Sequence, residues 1–340
     1  MTDGAGAPPA RPAPSVLGVS GLRASTMGLG LAALGRPAYI TLGRQRDLGT
    51  DRGAARMEER CHRVLDAAYA AGVRYVDVAR SYGRAEEFLA SWLASRALEP
   101  GAVTVGSKWG YLYVGHWRTD AAVHEVKDHS VAMLRQQWPE TAALLGSHLG
   151  LYQVHSATLQ SGVLDDPAVL AELLELTARG VVVGMSVSGP GQAEVIRRAL
   201  SAEVDGVNPF STVQATWNLL EPSAGDALAE AHARGWGVLV KEAVANGRLV
   251  DGQGDDSGAG AVLAGVARRH GASADQVALA AALGQPWSDV VLSGAVTERQ
   301  LAANLGALAV VLDDDDRARL ASVAEPPAAY WDRRAALPWQ

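Results

Sequence analysis

Three features of the 340-residue chain predict an α/β fold closed into a single (β/α)8 TIM barrel. Short β-rich runs alternate with longer segments of helical period, and eight such runs occur in succession. Several helical segments stop at glycine just before the next run, the left-handed stop that a short connection uses. No internal stretch has the composition of a domain linker, and a barrel of this kind fills this length as one unit.

The strands fall in order at 26–31 (TMGLGL), 74–78 (RYVDV), 103–107 (VTVGS) and 149–154 (LGLYQV). The series continues at 181–186 (VVVGMS), within 204–214, at 237–240 (GVLV) and at 289–293 (DVVLS). Between them lie amphipathic segments such as RMEERCHRVLDAAYAAG, AEEFLASWLASRAL, DPAVLAELLELTARG, GQAEVIRRAL and AGDALAEAHARG. A doubly wound sheet alternates in the same way, but it wants a phosphate-binding G-x-G-x-x-G after its first strand. The glycines of MGLGLAALG do not have that spacing, and no acid closes a second strand at the required distance.

Residues 1–15, rich in Pro, Ala and Gly, read as a flexible arm without the charged start and apolar run of a signal peptide. The barrel occupies 16–325, and 326–340 form a tail near its mouth. The Gly/Asp-rich stretch 250–260 reads as a mobile loop after the seventh strand. The acids at 313–316 read as a helix start rather than a metal site.

Composition narrows the function. The chain is 48% hydrophobic and 20% charged, with a formal net charge of −7 and no basic cluster, which argues against nucleic acid as a partner. No apolar run approaches the roughly 18–20 residues that span a bilayer, so a cytoplasmic protein without membrane contact is expected. The single cysteine, Cys61, excludes an intrachain disulfide and a multi-cysteine metal site, and its helical setting suits a packed thiol. Only Lys108, Lys127 and Lys241 are lysines; arginine supplies every other basic side chain.

In a parallel barrel the C-terminal strand ends converge on one mouth, where chemistry sits. The second strand delivers Asp77 and, on its loop, Tyr82. The third delivers Lys108, the fourth His155, the fifth Ser186, the sixth Gln214, and the seventh Lys241 with Glu242. Singly, each has a structural explanation: a helix cap, a rim aromatic, a core histidine. Together they would bring a carboxylate, a phenol, an ammonium and an imidazole to one mouth. Buried charges require partners, so the acid and the lysine on neighbouring strands are expected to neutralise each other.

VDVARSYG, GSKWG and YQVHSA, in this order and on these strands, resemble the catalytic stretches of the aldo-keto reductase superfamily. The resemblance runs from LGVSGLRASTMGLGLAALG to VVLSGAVTERQLAANLGAL. It implies a nicotinamide nucleotide across the mouth, a small-molecule carbonyl or alcohol substrate, and Asp77, Tyr82, Lys108 and His155 as the catalytic four. In that chemistry the phenol gives a proton to the oxygen that hydride transfer makes negative. The lysine lowers the phenol's pKa, Asp77 holds the lysine, and His155 donates a hydrogen bond to the carbonyl. Arginine is too broad to take the place of a compact ammonium beside one phenol oxygen.

By the same resemblance Ser186 and Gln214 hold the nicotinamide carboxamide. Val187 stands where the family often has asparagine, with Ser188 near enough to compensate. Lys241, Gly247 and Arg248 follow the seventh strand as further cofactor contacts. Gly294, Arg299, Gln300 and Asn304 belong to the nucleotide-binding helix. Family habit favours NADP(H); Gly294 and Val296, where a basic residue often faces the 2′-phosphate, make NAD(H) the alternative. Trp109, Tyr111 and Trp117 after the third strand, with Tyr330, Trp331 and Trp339 from the tail, are candidate substrate walls suited to an apolar or ring-containing carbonyl compound.

Three rival readings remain at the level of sequence. A class I aldolase would use Lys108 or Lys241 as a Schiff base, which an aspartate partner disfavours by keeping the amine protonated. A metal hydrolase would draw on His116, His124, His129, His148 and His155, but VHEVKDHSVAMLRQQW reads as an outer helix, and no metal site is expected. A nucleotide-binding regulatory subunit would keep the fold with little turnover.

Overall fold

The structure, a computed structural model, describes residues 11–252 and 258–340. Eight parallel strands close a barrel in sequence order. They are β1 Met27–Gly30, β2 Tyr75–Asp77, β3 Thr104–Trp109, β4 Leu149–Ala157, β5 Val182–Val187, β6 Thr212–Thr216, β7 Gly237–Lys241 and β8 Val290–Ser293. Closure is made by β8 on β1, with Val291 opposite Met27.

Outside lie α1 Ala54–Ala70, α2 Ala85–Ser95, α3 Val131–Leu145, α4 Pro167–Ala178, α5 Gln192–Ala199 and α6 Gly225–Ala233. Two helices follow β7, α7 Ala259–His270 and α8 Ala274–Leu283. Then come α9 Glu298–Leu305 after β8, α10 Asp314–Ala321 and α11 Pro327–Ala335. The expected glycine stops occur beyond α4 and α6, where Gly180 and Gly235 both have φ of 84°.

The last residues of the expected arm, Pro14 and Ser15, are in a strand. Pro14–Val16 pairs antiparallel with Arg23–Ser25, while residues 1–10 lie outside the described residues. This hairpin plugs the N-terminal end of the barrel. Leu17 and Ala24 join Tyr75, Leu151, Leu239 and Val290 in a closed apolar cluster, which leaves the opposite end for chemistry.

The sixth strand takes only the end of 204–214, starting at Thr212 and running on to Thr216. Asn208 accepts a bond from Phe210 N (2.8 Å) and shapes a turn there, and Pro209 has no N–H for a ladder. The segment VHEVKDH is not helical: Glu125–Lys127 pairs with Tyr111–Tyr113 as a hairpin. Asp128 accepts from Ser130 N (2.9 Å) and Ser130 caps α3 at Met133 N (3.2 Å), so the helix cannot begin earlier. Of the loop expected at 250–260, residues 253–257 lie outside the described residues.

Asp313 caps α10 by accepting from Asp316 N at 2.8 Å, as its sequence suggests. Cys61 is fully buried, and burial pushes its thiol pKa up, so it packs rather than reacts. Among the described residues no helix is long and apolar enough to cross a membrane, and no three His, Cys, Asp or Glu side chains cluster to hold a metal ion.

Side chains alternate along each strand, so the barrel interior is filled in layers. Tyr75 lies in the lowest layer, and Asp77, two residues on, faces inward above it. A Cβ on Gly106 would sit 2.1 Å from the Tyr75 hydroxyl, so glycine is required opposite that phenol. Gly106→Ala is expected to cost about 1–3 kcal/mol or more by overpacking, read as a lowered midpoint of denaturant unfolding.

Candidate active site

The inward alternation that buries Tyr75 also brings Asp77, Lys108, His155, Gln214 and Lys241 to the upper end of the barrel. Asp77 pairs in register with Gly30 on one side and Gly106 on the other, and both neighbours lack side chains. Lys108 is fully buried and donates to Asp77 Oδ1, to the Val78 carbonyl (3.1 Å) and to the Tyr82 hydroxyl (3.3 Å). The second oxygen of Asp77 accepts from Gln214 Nε2 (2.8 Å) and from the Tyr75 hydroxyl (3.3 Å). A buried carboxylate is thus paired and hydrogen-bonded on both oxygens, the condition for a charge to persist inside a protein.

Tyr82 is held by backbone. Its N–H donates to the Ala79 carbonyl (3.0 Å), and the loop after β1 packs onto this turn at two glycines. A Cβ on Gly35 would lie 2.3 Å from the Tyr82 carbonyl, and one on Gly83 would lie 2.5 Å from the Gly35 carbonyl. His155 stands edge-on to the Tyr82 ring at 5.4 Å, with its Nδ1 3.4 Å from the Ser81 hydroxyl. The four expected catalytic side chains therefore meet.

Burial sets the charges. The Tyr82 phenol lies well above its ordinary pKa, first because it is buried and then because Asp77 is near; Arg36 opposes both. The sequence argument has lysine drawing this pKa down, but complete desolvation outweighs the nearby cations, so the phenol is protonated at neutral pH. His155 is pushed well below the usual histidine range by burial, then by Lys108 and Arg36, and is neutral. A neutral ring whose Nδ1 accepts from the Ser81 hydroxyl beside it would carry its proton on Nε2. Lys241 is lowered to about 8, chiefly by burial. Burial raises Glu242, but Arg334 and Lys241 overcome it and bring the carboxyl to about 2.

A cavity of about 200 Å³ opens on this cluster and runs over the ends of β1, β6, β7 and β8. Tyr82, Asp77, Gln214 and Lys241 line one part of it, and Gly247, Gly294, Gln300 and Asn304 another. The polar atoms are prearranged: Lys241 Nζ donates to Thr216 Oγ1 (2.6 Å), and Asn304 donates to Ser293 Oγ (2.8 Å). Gln300 Oε1 accepts from Val296 N at 3.0 Å. A long groove with a phenol and a lysine-paired acid at one end, and glycines and amides at the other, suits an extended nucleotide.

Several of the expected contact residues do not line this cavity. Arg248 does not line the groove; it pairs with Glu325 and lies 5.7 Å from the Tyr330 ring. Arg299 is exposed on α9. Ser186 is fully buried, and its Oγ accepts from Ser156 N at 2.7 Å. Val187 is fully buried as well, while Ser188 is half-buried.

Of the candidate walls, Trp109 is completely buried against His129, and Trp117 packs on Phe88 with Nε1 donating to the Arg52 carbonyl (2.8 Å). β3 extends through Trp109 and turns it away from the Lys108 side, and Trp117 is anchored by its ring contact and its bond to the Arg52 carbonyl. Tyr330 is buried with its hydroxyl accepting from Asn218 (3.0 Å). Tyr111 remains beside His155, at 4.8 Å between rings, and Trp331 lies 5.9 Å from Lys241.

Sequence reasoning missed three participants. Tyr75 bonds Asp77 from two positions earlier on the same strand face, which alternation could have shown. Arg334 pairs with Glu242 (2.9 Å) from a tail noted only for its aromatics. Arg36, 1% exposed, lies 5.2 Å from the Tyr82 ring centroid, and nothing in its local sequence marks it.

PA4992 of Pseudomonas aeruginosa, a provisional aldo-keto reductase, superposes with a TM-score of 0.62 at 23% identity, covering 87% of this chain and 94% of that one. The aldo-keto reductase AKR11C1 from Bacillus halodurans, in its holo form, superposes with a TM-score of 0.70 at 20% identity, covering 93% and 97%. At these identities the likeness speaks for the barrel fold. No match was found among curated proteins. Residues 27–325 match the sequence pattern of the Aldo/keto reductase family, and the chain belongs to that family.

Proposed function

We propose that the chain reduces an aldehyde or ketone to its alcohol, or runs the reverse, with Tyr82 as proton donor. The observation that carries this reading is the buried contact chain from Asp77 through the Lys108 ammonium to the Tyr82 hydroxyl. A bound nicotinamide supplies or accepts the hydride. Gln214, Lys241, Gly247, Gly294, Gln300 and Asn304 would hold it along the groove, with Ser186 behind them.

The chain's own residues handle the proton. Neutral His155 donates from Nε2 to the carbonyl oxygen and fixes its orientation. Tyr82 gives its proton as negative charge develops on that oxygen, and the phenolate left behind is stabilised by Lys108, which Asp77 keeps charged. A Lys108 held by a carboxylate is a poor Schiff-base nucleophile, which weighs against the aldolase reading. Tyr111 and Trp331 near the reacting groups favour an apolar or ring-containing substrate.

By resemblance the cofactor is NADP(H). NAD(H) is supported by one observation: Lys241 is the sole lysine or arginine among the described lining residues, while Asp47 and Asp275 also line the groove. Fluorescence titration with NADPH and NADH, followed by absorbance assays on a panel of carbonyl compounds and alcohols including benzaldehyde and benzyl alcohol, tests both points. Tight binding of one reduced cofactor and its oxidation by a member of the panel is expected. Binding without turnover on any member would instead favour a regulatory subunit.

A further inference from the structure

Arg36 is an unusual group to find beside a proton donor. It leaves the loop after β1 one residue beyond Gly35, whose missing side chain lets this loop touch the turn carrying Tyr82. Its Nε donates to the Ala32 carbonyl (3.1 Å), and one terminal nitrogen donates to the Ser81 carbonyl (3.1 Å) and to Glu125 (2.7 Å). The guanidinium carbon lies 5.2 Å from the Tyr82 ring centroid, 5.1 Å from that of Tyr39 and 5.0 Å from that of Trp339.

The tail fixes the arrangement from the other side. Tyr39 and Gln340 exchange backbone hydrogen bonds of 3.0 Å each, and Trp339 stacks on His124 with centroids 4.2 Å apart. A cation in this cage cannot swing to solvent, because backbone carbonyls, Glu125 and three aromatic rings hold it on all sides.

We propose that Arg36 is a positioning residue for proton transfer, holding the Tyr82 ring and stabilising the phenolate that remains when its proton has left. The proposal rests on Tyr82 being the donor. It adds to the four family positions a second cation that reaches the phenol through its ring face rather than its oxygen.

Other charges face the same phenol. From the strands come Asp77, Lys108 and His155, and from the end of β7 Lys241 and Glu242. Glu125 approaches from the hairpin, and the neutral hydroxyl of Tyr39 from the β1 loop. Of these, Glu125 is bonded to Arg36 itself and disfavours the phenolate, as Glu242 does, so removing the arginine and removing its acid should act in opposite directions.

The direction can be read in alcohol oxidation, where the phenolate is the base. Burial holds the phenol's pKa well above its ordinary value, so below that pKa log kcat should rise with unit slope as pH increases, and lifting the pKa by one lowers that limb tenfold. With the oxidised nicotinamide cofactor as hydride acceptor, Arg36→Gln is expected to lower the limb roughly tenfold with the dissociation constant for that oxidised cofactor unchanged. Arg36→Lys is expected to recover most of the loss, and Glu125→Gln to raise the limb above wild type.

The assay uses benzyl alcohol, or the most active alcohol of the panel, with the full-length protein. Equal losses in the Gln and Lys variants, no loss in either, or a Glu125→Gln limb that does not rise would overturn the proposal. If Arg36→Gln does not fold, the Lys and Glu125 variants decide alone. Should Tyr82→Phe retain turnover, or no compound of the panel react, the donor assignment fails first and takes this proposal with it. A dead Tyr82→Phe with unshifted Arg36 variants sinks the arginine's role alone.

Discussion

Tyr82→Phe is expected to abolish measurable carbonyl reduction while leaving cofactor affinity close to wild type. Positioned proton transfer contributes about 10²–10⁴ in rate, equivalent to about 3–5 kcal/mol of barrier. The variant loses only the hydroxyl that Lys108 contacts at 3.3 Å, and the lysine keeps Asp77 and the Val78 carbonyl. Stability should therefore change by about 1 kcal/mol or less. The ring stays, so its packing against His155 and Arg36 is preserved. A variant that keeps most of its single-turnover rate would remove Tyr82 from the donor role.

Lys108→Met should damage the protein in two ways at once. It takes the ammonium from the Tyr82 phenolate, so the rate is expected to fall by a factor comparable to that of Tyr82→Phe. It also strands the Asp77 carboxylate inside the barrel with only Gln214 and Tyr75 as donors. Breaking a buried pair by removing one partner costs about 3–5 kcal/mol, so the midpoint of denaturant unfolding should drop well below that of Tyr82→Phe. Equal stability of the two variants would mean that Asp77 does not carry its charge in the folded protein. The pairing of lost rate with preserved stability in one variant and lost stability in the other is what the contact chain requires.

The barrel was legible because strand runs and glycine-stopped helices repeat with little interruption, and because parallel pairing in sequence order needs no long-range information. The meeting of Asp77, Tyr82, Lys108 and His155 was legible for a related reason. They sit at strand ends or on the first turn beyond, so alternation along a strand fixes their direction. What sequence could not supply was contact between distant loops. Arg36 reaches Tyr82 only because Gly35 and Gly83 let two loops touch, and Arg334 reaches Glu242 from about 90 residues away along the chain, a juxtaposition only the folded chain produces. Trp109 was misjudged because the third strand runs two residues past 107, and each step along a strand reverses the face. The hairpin at Glu125–Lys127 was hidden because its helix-compatible residues are overruled by the Asp128–Ser130 turn.

The same limit explains the phenol. Proximity to lysine suggests a lowered pKa, but the cost of burying the phenolate depends on how completely the mouth is closed, which no local pattern records. The phenol that results is a store of one proton at neutral pH, released only when the charge on the substrate oxygen demands it.

Single-turnover rate constants for wild type, Tyr82→Phe, Lys108→Met and the double variant, taken with saturating reduced cofactor, test the unit formed by these side chains most directly. If the lysine acts through the phenol, the double variant should be no slower than Tyr82→Phe alone, because the second substitution has nothing left to remove. Losses that multiply would show the two groups working independently and would contradict the mechanism.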